Sequence, residues 1–367
     1  MKLSSYIYHI CLYSDALIKF VNAVLRKVSR DGLSILETQT SPADNVSPWL
    51  LKELQQTWGM DKTNKILQQM MFEPPMYLTP KLPLGLVSRK EQDLLLEAFC
   101  SSFQNDSSMN TTNHLHILPN GSLRAEDSLS GHVSSWPLYD DGQWWIQDVS
   151  STIPALALIK TLIQDHGNLS KLHVVDICAA PGGKTAQLLS AGFGKVSAIE
   201  SSERRSKRLT ENLKRLKLHD FCNVFVADGR SWSPVENDNI SGILIDVPCS
   251  STGTGVRHGS VLRKTDSLRD LLELQESLAN HGANILPANG VMIYSTCSLL
   301  KQESEFQIEK LLKRGDLETI PFHRDEIPGF EDAIDDQGWI RVLPGILSGD
   351  FRQSDGFFVA RLRKKST

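Results

Sequence analysis

Short apolar runs alternate with amphipathic segments from about residue 150 to the end of the chain. Six runs, rich in β-branched residues, have the length of buried strands: 174–178, 196–200, 223–226, 243–246, 291–295 and 357–362. Between several of them, apolar residues recur at helical spacing: 184–189, 203–216, 268–286 and 303–312. Strands that alternate with helices predict an α/β domain over residues 146–367, with a doubly wound parallel sheet that binds ligands at the carboxyl ends of its strands.

The first 145 residues follow a different pattern and divide into two predicted parts. Residues 1–72 are predicted to be helical, with a loop at 40–48 between two helices. Apolar residues of the first helix recur at helical spacing: Leu17, Phe20, Val21, Val24, Leu25 and Val28. Residues 73–145 combine one helix, short apolar runs and a polar loop at 104–114, a mixture that predicts a small α+β unit.

Composition indicates a folded chain whose overall charge does not favour a polyanion. Of the 367 residues, 40% are hydrophobic and 22% charged, which is enough apolar surface for a packed core. Lys and Arg number 39 against 43 Asp and Glu, a net charge of −4, so any nucleic acid must bind a local basic patch. Basic residues do cluster on the helix predicted at 203–216 and at the end of the chain, although a solvated helix face explains the first cluster equally well.

The cysteines and the apolar runs bear on the class of protein and on its location. Six cysteines are spread along the chain without a C-x-x-C pair, which argues against a zinc site and indicates reduced thiols. No run of about 18 apolar residues occurs, so no membrane helix is predicted. The amino-terminal residues favour a helix over a signal peptide, because serines and a histidine interrupt the apolar stretch. We therefore expect a cytoplasmic, metal-free protein without a membrane anchor.

A turn of small residues follows the first strand predicted in the α/β domain. Residues 176–185 read D-I-C-A-A-P-G-G-K-T and lead into a helix. Paired glycines allow a close approach of the backbone, and the N–H groups at a helix start can bind a carboxylate. Glu200 ends the second strand, where it can accept hydrogen bonds from ribose hydroxyls, and Asp228 follows the third, where it can bind the amine of an adenine. The turn is neither G-x-G-x-x-G nor a P-loop, so a cofactor without phosphate, S-adenosyl-L-methionine, fits better than a dinucleotide.

Two alternatives stay open for this segment on the sequence alone. A tight strand–helix turn with an incidental acid on the second strand would bind no cofactor. A nicotinamide-dependent oxidoreductase on a similar sheet is the weaker alternative, because the glycine loop that binds dinucleotides is absent.

Two cysteines and an aspartate follow the next pair of strands. The fourth strand ends in Asp246, with Cys249 shortly after it, and the fifth ends close to Cys297. Because neighbouring parallel strands end at the same edge of a sheet, we expect these three side chains around one pocket. A buried cysteine is more often inert core, but a pair beside a carboxylate suits methylation of cytosine C5. A thiolate adds to C6, an acid contacts N3, and a second acid or base assists elimination.

This chemistry sets requirements for the individual residues. Cys297 needs a lowered pKa if it is the nucleophile, because the thiolate is the reactive form. Lys184 is a candidate for part of the field that lowers it. The target base has to be unstacked to reach the thiol.

Four segments, in order, resemble signatures of the Nol/Nop/Sun family of RNA cytosine-C5 methyltransferases. They are D-I-C-A-A-P-G-G-K-T, D-V-P-C-S-S-T-G, Y-S-T-C-S-L and D-G-F-F-V-A-R-L-R, and I-Q-D-V-S-S at 146–151 is similar to the start of its catalytic domain. The strongest likeness is to the bacterial enzymes of this family that modify small-subunit (16S) ribosomal RNA. The resemblance covers residues 145–367 well and the earlier part poorly.

The resemblance implies a Rossmann-like class I methyltransferase fold and a role for each matching residue. Cys297 is implied as the nucleophile, Cys249 as the group that assists adduct breakdown, and Asp246 as the contact to N3. The implied cofactor site consists of Cys178, Ala179, Ala180, Pro181, Gly182, Gly183, Lys184, Glu200, Asp228 and Asp246. The implied partner is RNA, with the protein expected to be a monomer. A ribosome-assembly protein with weak or lost catalysis and a transfer-RNA methyltransferase remain alternatives.

The amino-terminal part bears a weaker resemblance. Residues 19–26, K-F-V-N-A-V-L-R, resemble the end of the NusB-like RNA-binding domain that begins the bacterial enzyme, so 1–72 is expected to be a truncated remnant of it. Arg257 opens a segment, R-H-G-S, that departs from the R-R-x-P-D pattern usual after the first cysteine motif. Trp144, Trp145 and Trp339 are expected in the core, with stacking on bases as the alternative.

Overall fold

A computed structural model describes residues 15–83, 88–104, 114–126, 129, 131–235, 239–263 and 268–366. The start of the chain, with Cys11, and most of the predicted polar loop at 104–114 lie outside these residues. The chain separates into two compact units, Met1–Val46 and Ser47–Thr367. The predicted boundaries at 72 and 145 do not coincide with this division and stay predictions.

The first unit contains one long helix, α1 (Asp15–Gln39), followed by a 3₁₀ turn at Pro42–Asn45. The helix carries the predicted apolar periodicity, yet Phe20, Val28 and Leu33 are exposed. A Pro at the start of the 3₁₀ turn suits the first position of a helical turn, where its missing N–H leaves no bond unmade.

The second unit begins with helices and a small antiparallel sheet. Helix α2 (Pro48–Gln69) bends at Gly59, whose φ of +74° interrupts the helical dihedrals, and α3 (Arg89–Gln104) follows. The sheet has the order β2-β3-β1-β4. Its strands are β1 (Tyr77–Pro80), β2 (Leu115–Ile117), β3 (Leu123–Ala125) and β4 (Trp144–Ile146). One face packs on α3 through a buried apolar cluster that includes Leu96, Phe103 and Trp144, so the predicted α+β unit is present in this region.

The main sheet has the order β10-β12-β9-β8-β5-β6-β7, with β11 paired to β12. Its strands are β5 (His173–Ile177), β6 (Lys195–Glu200), β7 (Cys222–Val226), β8 (Ile240–Asp246), β9 (Val291–Thr296), β10 (Leu317–Thr319), β11 (Ile340–Val342) and β12 (Phe357–Lys364). Strands β5 to β9 run parallel, and β12 pairs antiparallel with β9. The order reverses between β5 and β8, which is the place where such sheets open a crevice for a ligand.

Helices cover both faces of this sheet. The helices are α4 (Ile153–His166), α5 (Gly183–Ser190), α6 (Glu203–Arg215), α7 (Arg269–Ile285) and α8 (Glu305–Leu312). Alternate residues of the strands enter two separate cores, one with α4, α5 and α6 and the other with α7 and α8. This is the predicted doubly wound, Rossmann-like architecture. None of the helices in the described part of the chain is long and apolar enough to span a bilayer.

The predicted boundaries of the helices and strands in the α/β domain differ from the observed ones by at most three residues. The largest shifts are at β8, which begins at Ile240 instead of 243, and at α8, which begins at Glu305 instead of 303. A 3₁₀ turn, Lys301–Glu303, precedes α8 and removes Glu303 from the helix. This turn matters for the site described below.

Candidate active site

The small-residue turn after β5 owes its shape to contacts with α6. Gly182 has a φ of +106°, and a Cβ there would lie 2.5 Å from the side chain of Leu209. Arg205 and Asn212, also on α6, donate hydrogen bonds of 2.8 Å to the carbonyls of Ala180 and Pro181. The glycine is therefore required by backbone conformation and by packing, and α6 holds the turn from outside.

Asp176, on β5 just before this turn, is a buried carboxyl. Its Oδ2 accepts a 2.6 Å hydrogen bond from Thr185 Oγ1, and its Oδ1 has no hydrogen-bond partner among the described residues. Burial raises the pKa of Asp176 to about 7. The hydrogen bond ties the end of β5 to the first turn of α5.

A cavity of about 380 Å³ lies against the turn. Lys184 lines it from the start of α5, Asp246 from the end of β8, and Arg208 and Arg215 from α6. The predicted cofactor residues 178–184 all contribute to its wall, together with the aromatic side chains of Tyr139 and Trp145. The structure thus brings the predicted turn and Asp246 to one cavity.

Glu200 and Asp228 lie at the ends of β6 and β7, outside the lining of this cavity. Glu200 is buried; Oε1 accepts a 2.9 Å bond from Ser202 N, and Oε2 lies 3.4 Å from Arg205 Nη1 without a hydrogen bond from a described residue. That oxygen leaves an acceptor for a ribose hydroxyl. Asp228 is half-exposed and forms an ion pair with Arg230, whose guanidinium lowers the pKa of the carboxyl. A ligand amine at this position would therefore share the Asp228 carboxylate with Arg230.

Asp246 and Lys184 form an ion pair at the end of β8. Lys184 Nζ lies 2.7 Å from Asp246 Oδ2, and Ser295 Oγ donates to Oδ1 at 3.1 Å. Burial opposes the charge of Lys184, but the Asp246 carboxylate outweighs it, so the pKa of Lys184 is raised. Lys184 Nζ also lies 5.3 Å from the centre of the Phe357 ring. The lysine therefore stays charged in its ion pair with Asp246.

Cys249 and Cys297 face each other, with 3.4 Å between their sulfurs. Strands β8 and β9 pair with Asp246 opposite Ser295, and this register brings the two following loops together. The hydrogen bond with Cys297 lowers the pKa of Cys249. That same contact, together with burial, raises the pKa of Cys297. Either sulfur can donate this hydrogen bond, so once one proton is lost the two thiols share the remaining one.

The sequence pattern of the family described as 16S rRNA methyltransferase RsmB/F matches residues 166–363. The chain belongs to this family. It is 31% identical over 356 residues to the ribosomal RNA small subunit methyltransferase B of Photorhabdus laumondii, an alignment that covers 94% of this chain and 73% of that relative. It is 32% identical over 358 residues to the protein of the same name from Escherichia fergusonii, with the same two shares covered. A methyltransferase homolog from Pyrococcus horikoshii, 24% identical, has the same fold, with a TM-score of 0.60 over 87% of this chain and 100% of that one.

Membership of the RsmB/F family makes this chain an RNA methyltransferase with S-adenosyl-L-methionine as cofactor, which confirms the predicted family, fold and cofactor. The nicotinamide-dependent alternative is wrong, because the family is one of methyltransferases. Within the described ranges, no group of three His, Cys, Asp or Glu side chains is arranged to hold a metal ion.

Several residues of this RsmB/F methyltransferase support the site although the sequence did not single them out for it. Arg257 donates to Asp148 and Asp355 and so links the loop after Cys249 to the start of β12. Ser295 orients Asp246 from the neighbouring strand. Ser295 lies within the Y-S-T-C motif and Asp355 opens D-G-F-F, so both could have been found as polar residues inside quoted motifs.

The two predicted basic patches, on α6 and at the end of the chain, contain both buried residues that bind other parts of the protein and exposed residues. Arg361 is only 2% exposed, pairs with Glu326 at 2.8 Å and donates to Thr161, so its expected role in RNA binding is wrong. Arg215 donates to two backbone carbonyls and stacks on Tyr139. The exposed basic side chains of this region are Arg204, Arg205, Lys207, Arg208, Lys214 and Lys217.

The three tryptophans lie in the core. Trp144, Trp145 and Trp339 are all less than one tenth exposed, and Trp339 packs edge-on against Phe358. The core interpretation is confirmed for all three.

Proposed function

We propose that this RsmB/F methyltransferase transfers a methyl group to C5 of cytosine in small-subunit ribosomal RNA, through a covalent bond between Cys297 and C6. The observation that carries the proposal is the pair of thiols 3.4 Å apart, beside the Lys184–Asp246 ion pair. Cytosine C5 is a weak nucleophile, and addition of a thiolate at C6 converts the ring into an enamine that is reactive at C5. The relatives named for ribosomal RNA support the choice of substrate.

The thiol pair supplies its own base for this addition. When Cys249 is ionised, it accepts the hydrogen bond from the Cys297 thiol. Transfer of that proton across the S–S contact gives a Cys297 thiolate and a Cys249 thiol, with no other atom having to move far. The thiolate then adds to C6, and the electron pair of the C5–C6 bond becomes available at C5. The contact with Cys249 is also what raises the pKa of Cys297, so without Cys249 the Cys297 thiol loses its proton to solvent and still adds to C6.

Asp246 is the proposed contact to N3, and Lys184 keeps it in place. The carboxyl is held by Lys184 at one oxygen and by Ser295 at the other. A group fixed on two sides needs little reorganisation when charge develops on the base. The cation also offsets the negative charge that a thiolate adds to this part of the site.

The cofactor residues proposed are 178–184, Glu200, Asp228 and Asp246. The cavity wall formed by the turn fits the polar amino-acid end of the cofactor, and Glu200 Oε2, which accepts no hydrogen bond from a described residue, is the proposed acceptor for a ribose hydroxyl. When bound, S-adenosyl-L-methionine supplies an electrophilic methyl group to C5. The chain's contribution is to hold that end of the cavity rigid through the contacts of α6 with the turn.

Breakdown of the adduct is assigned to Cys249. The proton on C5 must leave and the bond between C6 and Cys297 must break, which restores the double bond and frees the enzyme. Cys249 is the titratable group whose sulfur contacts Cys297, so once it has released its proton to solvent it can accept the one from C5. Loss of Cys249 should therefore block release more than formation.

Substitution of each cysteine tests this assignment. With 16S RNA and labelled S-adenosyl-L-methionine, Cys297→Ala should show no transfer, whereas Cys249→Ala should accumulate an RNA–protein adduct that survives denaturing electrophoresis. Cys222→Ala is the matched control, since Cys222 is a half-buried thiol elsewhere on the sheet. Normal turnover in Cys297→Ala, with no adduct in Cys249→Ala, would overturn the roles given to both residues.

The modified position and the setting of the reaction need a second measurement. Bisulfite sequencing of RNA from a deletion strain should reveal one cytosine of small-subunit RNA that loses protection. Loss of protection at a transfer RNA only would favour the transfer-RNA alternative. We expect the protein to act in the cytoplasm as a monomer, which fractionation and light scattering would check.

A further inference from the structure

Glu303 is a buried carboxyl that the proposed reaction does not use. It ends the 3₁₀ turn Lys301–Glu303, between the loop that carries Cys297 and helix α8, and it is 0% exposed. Among the described residues it forms no ion pair. A charge in such a position is retained only where donors replace the lost water, so its hydrogen bonds show what it is there to hold.

Both cysteine loops donate to this one carboxyl. Oε1 accepts from Ser250 N at 2.9 Å, and Oε2 accepts from the hydroxyls of Ser250 and Ser298. Ser250 follows Cys249 directly, and Ser298 follows Cys297 directly. The carboxyl therefore binds the residue next to each cysteine and joins both loops at once.

The fourth donor comes from the opposite side. Gln275, on α7, donates to Oε1 at 2.9 Å and also to the carbonyl of Pro248. The hydroxyl of Tyr294 donates to the backbone carbonyl of Glu303 at 2.7 Å, which fixes the 3₁₀ turn against β9. The carboxyl is thus also held by α7, and its turn is held by β9.

We propose that Glu303 is a positioning residue that holds the loops of Cys249 and Cys297 together and so sets the distance between the two sulfurs. This inference rests on the proposed function for its catalytic meaning, since the short contact serves the proton exchange between the thiols. A misplacement of about 1 Å in such a pair lowers a rate by roughly 100-fold.

The spacing of the thiols can be measured without RNA. Phenylarsine oxide binds two neighbouring thiols: two As–S bonds form, and the oxide oxygen leaves as water with both thiol protons. We expect the folded wild type to bind the reagent tightly and Glu303→Ala at least 10-fold more weakly. Thr161→Val is the matched control, since it removes a buried hydrogen bond on α4 without touching Glu303 or either cysteine loop, and it should bind as the wild type does. Cys249→Ser gives the background from the remaining single cysteines.

A milder variant keeps the test decisive where Glu303→Ala fails to fold. Glu303→Gln retains Oε1 for Ser250 and Gln275 but presents an amide to the two hydroxyls, so binding should weaken at least threefold. A folded Glu303→Ala or, failing that, a folded Glu303→Gln that binds the arsenical with wild-type affinity would overturn the proposal.

Methyl transfer then tests the catalytic consequence. In Glu303→Ala we expect kcat to fall about 100-fold, with the KM for RNA and the affinity for S-adenosylhomocysteine within about twofold of wild type. A purely structural role would lower kcat only in step with the folded fraction, as in Thr161→Val, and that result would refute the positioning role. If the wild type methylates no RNA while the arsenical result holds, the proposed function fails and the spacing role of Glu303 stands.

Discussion

Two buried carboxyls, Asp148 and Asp355, form ion pairs with the same arginine, Arg257. They accept different numbers of hydrogen bonds, and this difference makes the free energy of unfolding depend on pH. Asp148 accepts four hydrogen bonds, from Ser150 N, Ser150 Oγ, Asp355 N and Arg257 Nη2. Asp355 accepts only one, at 3.3 Å from Arg257 Nε, and its Oδ1 has no partner in the described part of the chain. Burial, followed by the charge of Asp148, raises the pKa of Asp355 to about 8.

The sign and the size of the effect follow from linkage. An aspartate in the unfolded chain ionises near pH 4, so between about pH 4 and 8 the folded state holds a proton that the unfolded state has lost. The free energy of unfolding therefore falls as the pH rises, by about 1.4 kcal/mol per pH unit while Asp355 stays protonated. Between pH 6 and pH 8 this one group should lower it by about 2 kcal/mol.

Asp355→Asn removes this contribution, because the amide is neutral in both states. We expect urea unfolding at pH 6, 7 and 8 to show the variant gaining about 2 kcal/mol relative to wild type across the interval. Asp148→Asn is the counterpart: it should lower stability by about 1–3 kcal/mol at every pH, because four donors lose their charged acceptor. Parallel pH curves for wild type and Asp355→Asn would refute the reasoning.

Three further substitutions test the turn and the basic patches. Gly182→Ala should lower the free energy of unfolding by about 2–3 kcal/mol and weaken S-adenosylhomocysteine binding in calorimetry, because φ is positive and the new methyl meets α6; unchanged binding and melting would contradict this. Arg361→Met should lower stability by about 3–5 kcal/mol, since it leaves Glu326 without its buried partner, yet keep the salt dependence of RNA binding. Lys207→Ala should do the reverse, with normal melting and a salt slope reduced by about one if the α6 face contacts phosphate.

The convergence of Asp246, Cys249 and Cys297 could be predicted because each follows a strand end. Strand alternation and the right-handed crossover rule make β8 and β9 neighbours, so the loops after them meet at one edge. The turn after β5 could be predicted for a related reason, since small residues between a strand and a helix serve few other purposes. The local sequence pattern was sufficient to predict a site residue wherever its position depends on a single strand or turn.

Contacts between distant loops could not be predicted in this way. Glu303 lies 53 residues from Ser250, and no periodicity links the two positions. The helical pattern also placed Glu303 inside α8, whereas a 3₁₀ turn directs its side chain to the cysteine loops. For Arg361, in contrast, the local pattern was informative. On β12 it shares a face with Phe357 and Val359, which both enter the core. Alternation along the strand therefore indicated that Arg361 is buried, despite the basic residues around it.

The two cysteine loops are held from three directions, which explains why their motifs are short and rich in small residues. Gly253 N donates to the carbonyl of Cys297 at 2.8 Å, and Gly356 N donates to the carbonyl of Gly253 at 2.9 Å. A Cβ on Gly253 would lie 2.4 Å from the carbonyl oxygen of Gly356, so D-V-P-C-S-S-T-G and D-G-F-F meet at a place where only glycine fits. From α2, Trp58 Nε1 donates to the carbonyl of Leu299 at 3.0 Å. A loop fixed by backbone contacts on both sides and by Glu303 between them leaves its sulfur little freedom, and that restriction is what a 3.4 Å thiol pair requires.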